Sequence, residues 1–366
     1  MNNTEKKIYI VTFHHVLNNG GLLQAYALVK FLRSKHLNAE ILNYKPWYFL
    51  LQTYRPAKGI KKTLSKIKKI LAFGKFRRKN LSISTKSYYT SKSLKKINNA
   101  TAFICGSDQI WNGNLTGGSI DPAYYLNFVD SNVKKIAYAA SAGNSPVTSK
   151  WSSIGPLLKD FSAVGLREKA TYLEIAKLAP ELKPKLVVDP SLLIDNYDAI
   201  ANFTRVPKGD FLLTYIVGSG ESLRLFDEFV LNSKKIINLP VVHIGAKNIN
   251  SCDFFFDGVG PDEWVAFFKN AKFVITNSFH GTAFSVNFQK QFIFFPNCNE
   301  LLNERQMTLL SSLGIEDRRL TELTQPSEDT PLPTIDYEIV TPRLNSMVEK
   351  SSRFLLESLT ENKNTA

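Results

Sequence analysis

Acidic residues are missing from Ile41 to Ser107, a stretch of the 366-residue chain that carries 16 Lys and Arg. Elsewhere 30 basic residues face 32 acidic ones, so this one segment supplies the whole net charge of +14. Cysteine is scarce. Cys105, Cys252 and Cys298 are odd in number, far apart and without CxxC or Cys/His spacing. That argues against a disulfide framework and a zinc site, and it predicts three buried thiols and no metal. Long apolar runs are absent too: after the charged MNNTEKK, the run IYIVTF is too short for a signal h-region or a membrane span. The sequence therefore predicts a cytoplasmic protein. Neither GxGxxG nor GxxxxGK[ST] occurs, which counts against a nicotinamide or P-loop nucleotide site. The basic segment brings no RNA-binding, zinc-finger or helix-turn-helix signature, so nucleic acid is not the expected partner.

What is present alternates. The length implies two domains, and 44% apolar residues can fill two cores. A strand at Lys7–Phe13, the loop HHVLNNGG, a helix at Leu22–Ser34 and a strand at Ala39–Asn43 read as a β-α-β opening. Short apolar strands follow at 100–105, 135–142, 162–166 and 185–188, with helices at 149–159 and 169–178. A change of composition over 189–210 marks the passage to a second alternating unit. There the pattern predicts strands at 211–217, 241–244, 273–276 and 292–295, with helices at 222–232, 261–270 and 282–288. The expected fold is α/β, with two Rossmann-like domains facing a central cleft. Residues 1–194 form the first, interrupted by a basic insertion at 45–96; residues 206–340 form the second. A helix at 341–360 closes the chain, its face traced by Leu344, Met347, Val348, Ser351, Phe354, Leu355 and Leu359, before a tail, ENKNTA, expected to fray.

Within the insertion, Lys58–Lys79 places Ile60, Leu64, Ile67 and Leu71 at helical spacing among lysines, downstream of Trp47, Tyr48, Phe49 and Tyr54. Such a helix beside interfacial aromatics suits an anionic membrane surface, contacted through residues 55–96, or an acceptor carried on a lipid diphosphate. The protein would then sit peripherally on the inner face of the membrane. The competing and commoner arrangement is a solvated helix whose apolar stripe packs on its own domain.

Two segments could carry chemistry. Lys272–Phe288, KFVITNSFHGTAFSVNF, reads as a buried strand ending at Thr276, a polar turn, and a helix opening on His280-Gly281-Thr282. Unpaired N–H groups and the helix dipole favour an anion there, so His280 is placed to protonate a phosphorylated ligand. Ser278 and Thr282 offer hydroxyls and Gly281 allows close approach of a ligand; the competing role for the imidazole is as a hydrogen-bonding plug for the turn. In Phe103–Asn112, FICGSDQIWN, a strand ends at Gly106 and releases Asp108, Gln109, Trp111 and Asn112. An indole with amide and carboxylate neighbours can hold a sugar, and Asp108 could take a proton from an attacking hydroxyl. Equally, the segment could be an Asx-type turn with Trp111 in the core. His14, His15, Asn18, Asn19, Gly20 and Gly21 occupy the first strand-to-helix loop, which could serve as a glycine-rich acceptor loop. Arg167 in VGLREKA and Arg305 in NERQMTLLSSLG could fork onto a carboxylate or phosphate, or pair with acidic neighbours. Asp189 in VVDPSLL reads as a cap for the turn before Pro190.

Taken in order, NNGGLLQAYAL (18–28), CGSDQIWN (105–112), KKIAYAASAG (134–143), GLREKA (165–170), VVDPSLL (187–193) and TNSFHGTAFS (276–285) resemble the polysaccharide pyruvyl transferase family, over roughly residues 7–320. The resemblance implies a fold similar to the GT-B glycosyltransferases. It also implies transfer of pyruvate from phosphoenolpyruvate to two hydroxyls of one sugar in an exopolysaccharide, capsule or lipid-linked precursor, giving a cyclic ketal and phosphate, with no cofactor besides the donor. On this basis His280 and Asp108 are catalytic. Arg167, Ser278, Gly281, Thr282 and Arg305 would hold the donor, and Asn18, Asn19, Gly20, Gln24, Gln109, Trp111 and Asn112 the glycan. Some relatives carry an arginine two residues before the histidine, where this chain has Ser278, so its donor clamp must draw charge from elsewhere. The alternatives are a GT-B nucleotide-sugar glycosyltransferase and a non-catalytic glycan or lipid-carrier binding protein.

Overall fold

A computed structural model describes residues 7–97, 100–321 and 334–360. The tail expected to fray, 361–366, lies outside the described residues. In chain order the first half holds β1 (Lys7–Val11), α1 (Asn19–Ser34), β2 (Ala39–Ile41), α2 (Trp47–Tyr54), α3 (Ile60–Asn80), β3 (Ala100–Cys105), β4 (Lys134–Ala140), α4 (Trp151–Leu158), β5 (Ala163–Leu166), α5 (Lys169–Leu178) and β6 (Lys185–Leu186). The second half holds β7 (Leu212–Tyr215), α6 (Glu221–Ile237), β8 (Val241–Ile244), β9 (Phe254–Phe256), α7 (Pro261–Asn270), β10 (Phe273–Thr276), α8 (Phe279–Asn287), β11 (Gln291–Phe294), α9 (Glu304–Leu313) and α10 (Tyr337–Thr360). None of the helices among the described residues is long and apolar enough to cross a membrane.

The chain divides into two compact units. One gathers residues 1–55, 80–194 and 345–366; the other gathers 56–79 and 195–344. The first contains a six-stranded sheet in the order β2-β1-β3-β4-β5-β6, every pair parallel. Strands covered on both faces cannot alternate apolar with polar, which is why they appear in the sequence as runs such as IYIV and AFIC. Val11, Phe103, Cys105, Ala137 and Leu166 lie in its core. From β1 the chain passes to β2 on one side and from β2 back past β1 to β3 on the other, so the strand order reverses between β1 and β3. The second unit repeats the device with a parallel sheet ordered β11-β10-β7-β8-β9, whose order reverses between β7 and β10. Leu212, Phe226, Val230, Val241, Ile275 and Ile293 form its core. Open parallel sheets offer ligands the crevice at the carboxyl ends of the strands beside such a reversal.

The basic helix α3 departs from expectation twice. It belongs with the second unit, although its sequence interrupts the first. Nor does its apolar stripe pack: Ile60, Leu64, Ile67 and Leu71 are 81%, 54%, 45% and 65% exposed. The helix is held instead by Phe73 and Phe76, both buried, with the Lys69 ammonium 5.5 Å from the Phe73 ring centroid and its pKa lowered to about 8 by burial. Glycines make room for it. A Cβ on Gly258 would stand 3.2 Å from Lys68 Cβ, and one on Gly260 would stand 2.9 Å from Ala72 Cβ. The thiols depart as well. Cys105 is buried as expected, but Cys252 is half-buried and Cys298, in the loop after β11, is exposed.

If Phe73 and Phe76 anchor α3, Phe73→Ala lowers stability in urea unfolding by about 3–5 kcal/mol. Leu71→Ala, on the exposed side of the same helix, changes it by less than about 0.5 kcal/mol.

Candidate active site

In the second unit β10 ends against β7, with Thr276 opposite Tyr215. Thr276 Oγ1 donates to the Tyr215 carbonyl at 2.7 Å and accepts from Ser278 N at 3.1 Å. Asn277 then ties the strand exits together. Its Oδ1 accepts from Val217 N (2.7 Å), and its Nδ2 donates to Val217 O and to Asn297 Oδ1 (both 2.9 Å). Asn303 Oδ1 accepts from Asn297 N at 2.8 Å, and Gln306 Nε2 donates to the Asn277 carbonyl at 2.8 Å, joining α9 to the same turn. These amides satisfy backbone groups that a short turn would otherwise leave without partners. The turn is thereby fixed, and with it the start of α8.

Ser278 caps that helix, its Oγ accepting from Gly281 N at 3.3 Å. The cap starts α8 at Phe279, earlier than the sequence suggested, and makes His280 the second residue of its first turn. His280 is 6% exposed, with the Phe279 ring edge-on at 5.2 Å. The Arg305 guanidinium, from α9, sits 5.9 Å from the centroid of that same Phe279 ring. Two residues 25 positions apart in sequence, one able to carry a proton and one a permanent cation, therefore share a neighbourhood at the positive end of a helix. Three other expected donor ligands are engaged internally. Thr282 is fully buried and donates to the Ser278 carbonyl at 3.2 Å, while Ser278 spends its hydroxyl on the cap. A Cβ on Gly281 would lie 2.5 Å from Thr276 Oγ1, so the missing side chain lets α8 start close against the end of β10.

In the first unit the loop after β3 turns under the sheet edge. Gly106 takes φ +128, and a Cβ on it would collide with the Tyr138 carbonyl. Ser107 N donates to Gln24 Oε1 (3.1 Å), Ser107 O accepts from Thr12 Oγ1 (3.0 Å), and Ser107 Oγ lies 2.9 Å from Asp189 Oδ2. Asp108, at φ +67, accepts from Gln109 N at 2.9 Å; a Cβ on Gly21 would come within 2.8 Å of its Oδ2, so the carboxylate lies against the first turn of α1.

Arg167 is buried among three carboxylates: Asp189 at 2.8 Å, Asp108 at 3.8 Å and Glu168 at 3.9 Å. Burial works against its charge, but the three acids outweigh it and hold its pKa above the ordinary guanidinium value. The expected donor clamp is therefore an internal counter-ion. The sequence suggested only a cap for Asp189, which does accept from Ser191 N (2.9 Å) but gives its second oxygen to Arg167. Arg167 directly follows β5 and Asp189 comes three residues after the end of β6, its neighbour in the sheet, and that shared sheet edge was the available signal.

The acceptor-side residues divide in the same way. Gln24 is wholly buried and supports Ser107 and Thr12. Trp111 is core, stacked on Tyr125 at 5.0 Å with its Nε1 donating to Tyr124 O, so the sugar-stacking role gives way to packing. Asn112 is buried and donates to Gln109 Oε1 and Asn144 Oδ1. Asn18 is exposed and caps α1, accepting from Gly21 N at 3.2 Å; Gly20 is buried in the first turn, and Gln109 is half-buried. Asn19 is buried, and its Oδ1 has no hydrogen-bond partner among the described residues. Asn19, Gln109 and Asp108 remain as the polar groups at this edge.

A family model described as polysaccharide pyruvyl transferase matches residues 18–299. No curated protein matches the chain in sequence. Among solved structures it is similar to UDP-GlcNAc 2-epimerase from Methanocaldococcus jannaschii in complex with UDP-GlcNAc and UDP, at 12% identity and a TM-score of 0.52, over 97% of this chain and 99% of that one. It is similar also to UDP-GlcNAc 2-epimerase from Neisseria meningitidis bound to UDP-GlcNAc, at 8% identity and a TM-score of 0.51, over 97% and 100% of the two chains. These likenesses establish the two-domain α/β GT-B fold.

Replacing Arg167 by Met leaves three buried carboxylates without their cation and lowers stability by about 3–5 kcal/mol at neutral pH. Those carboxylates then bind protons more tightly folded than unfolded, so the deficit in urea unfolding shrinks as pH falls towards about 4.

Proposed function

The chain belongs to the polysaccharide pyruvyl transferase family, and from that premise we propose that it moves pyruvate from phosphoenolpyruvate to one sugar of a surface polysaccharide or of its lipid-linked precursor. The observation that carries the proposal is the placing of His280 in the first turn of α8, next to the Phe279 ring that the Arg305 guanidinium approaches, after the strand where the second sheet reverses its order. The phosphate and carboxylate of the donor draw on the helix N-terminus and on Arg305. Arg167 is not part of this clamp, because its charge is taken up within the first unit.

In the proposed reaction His280 protonates the donor methylene, which becomes a methyl group and leaves an oxocarbenium-like carbon. One sugar hydroxyl adds to that carbon and releases its proton. Phosphate then departs with the bonding electrons, and the second hydroxyl closes the ketal as its proton is released. The sugar gains one pyruvic acid less one water, and no outside reactant is needed. The acceptor is assigned to the first unit, through Asn19 and Gln109. The working place is the cytoplasm, at the inner face of the membrane where a lipid-linked precursor would be met.

His280→Gln should reduce phosphate release from phosphoenolpyruvate in the presence of acceptor by roughly 10²- to 10⁴-fold, with the unfolding midpoint retained. Mass spectrometry of a sugar panel should show the added pyruvate with the unaltered chain alone. Release of a nucleotide from a sugar nucleotide, with none of phosphate from phosphoenolpyruvate, would instead make it a glycosyltransferase. Full biological function of His280→Gln would make it a binding protein. A bound phosphate should also favour the imidazolium, so His280 titrated by NMR should show a higher pKa with a non-reacting donor analogue than without it.

A further inference from the structure

We infer that the outward face of α3 is a docking surface for an anionic lipid bilayer, whatever reaction the protein catalyses. At about 100° per residue, Ile60, Leu64, Ile67 and Leu71 fall within an arc of about 60°, while the anchoring Phe73 and Phe76 lie about 150° from its middle, one on each side. The stripe thus faces away from the unit that holds the helix, in agreement with its exposure. Lys61, Lys68 and Lys75, all exposed, follow at seven-residue intervals along one flank of the stripe. Such a face can lower its aliphatic side chains to the level of the acyl chains while lysine stems reach back to headgroup phosphates.

Charge selects this occupant over others. The helix carries nine Lys and Arg and no Asp or Glu, and Lys61 and Lys62 stand in the first turn, where the dipole disfavours cations. A second copy of α3 would repel it, and the remainder of the chain, at 30 basic to 32 acidic residues outside Ile41–Ser107, supplies no counterbalancing excess of acid. A nucleic acid would meet the lysines but would set Ile60, Leu64, Ile67 and Leu71 against its phosphates. An anionic bilayer satisfies both halves of the face.

The test is co-sedimentation of the full chain with phosphatidylcholine vesicles, with and without phosphatidylglycerol, at low and high salt. Binding to the anionic vesicles is expected, weakened by salt, with little to the neutral ones. Two sets of substitutions, both on exposed positions, should leave the unfolding midpoint in place. Lys61→Glu with Lys68→Glu and Lys75→Glu should weaken anionic-vesicle binding by about ten-fold or more. Ile60→Gln, Leu64→Gln, Ile67→Gln and Leu71→Gln together keep good helix formers and should weaken it to a similar extent. Unchanged binding by the glutamine variant would overturn the proposal, as would equal binding to neutral vesicles in high salt. Binding to duplex DNA but to neither vesicle would overturn it in favour of a nucleic acid. A wild-type dimer that the glutamine variant disrupts, without vesicle binding by either, would overturn it in favour of a self-interface. None of these outcomes depends on turnover, so they stand apart from the fate of the proposed reaction.

Discussion

A parallel sheet covered on both faces leaves its strand ends as the place where polar chemistry can stand, and this constraint governs both units of the chain. In the first, Ser107, Asp108, Arg167 and Asp189 all follow directly on strand ends or lie within a few residues of them. In the second, Asn277 and His280 follow β10. Burying such groups at a sheet edge is costly unless each finds a partner. The asparagine and glutamine side chains around Asn277 and the carboxylates around Arg167 supply those partners, so much of what resembles reactive machinery in the sequence is scaffolding for a few groups.

That distinction explains what could and could not be read from the residues. β3, α5, β8, α7 and β10 have the boundaries the sequence suggested, because each is a bounded apolar run or an amphipathic stretch with a recognisable start, such as Pro261 and Glu263 opening α7. α2, β9 and α9 were not anticipated. WYFLLQTY and FFF lack the alternation that identifies an element, and α9 opens on the polar run ERQ. At the candidate site, the strand-turn-helix setting of His280 was legible, since local pattern determines it. The fates of Trp111, Gln24, Thr282 and Arg167 were not, because each depends on a partner distant in sequence or on burial: Tyr125, Ser107, the Ser278 turn and Asp189.

The basic helix shows the same limit from another side. Its aliphatic stripe is the conspicuous periodic feature of the segment, and periodicity alone would turn that stripe inward. Phe73 and Phe76 lie off the stripe, yet they carry the packing, since two buried aromatic rings remove a large apolar area from water. Which sheet such a helix joins depends on the glycines at 258 and 260, far along the chain.

This placement has a bearing on how the protein is made. Residues 56–79 leave the ribosome well before residues 195–344, the strands and helices with which they are grouped. Until the later stretch is synthesised, the helix lacks the unit it belongs to, and the nascent chain carries its aromatic and aliphatic side chains without that partner. Contacts of such long sequence separation form late and leave apolar surface open to aggregation or chaperone capture in the interim. The many lysines of this segment then act a second time, keeping an unfinished helix soluble through mutual repulsion between chains.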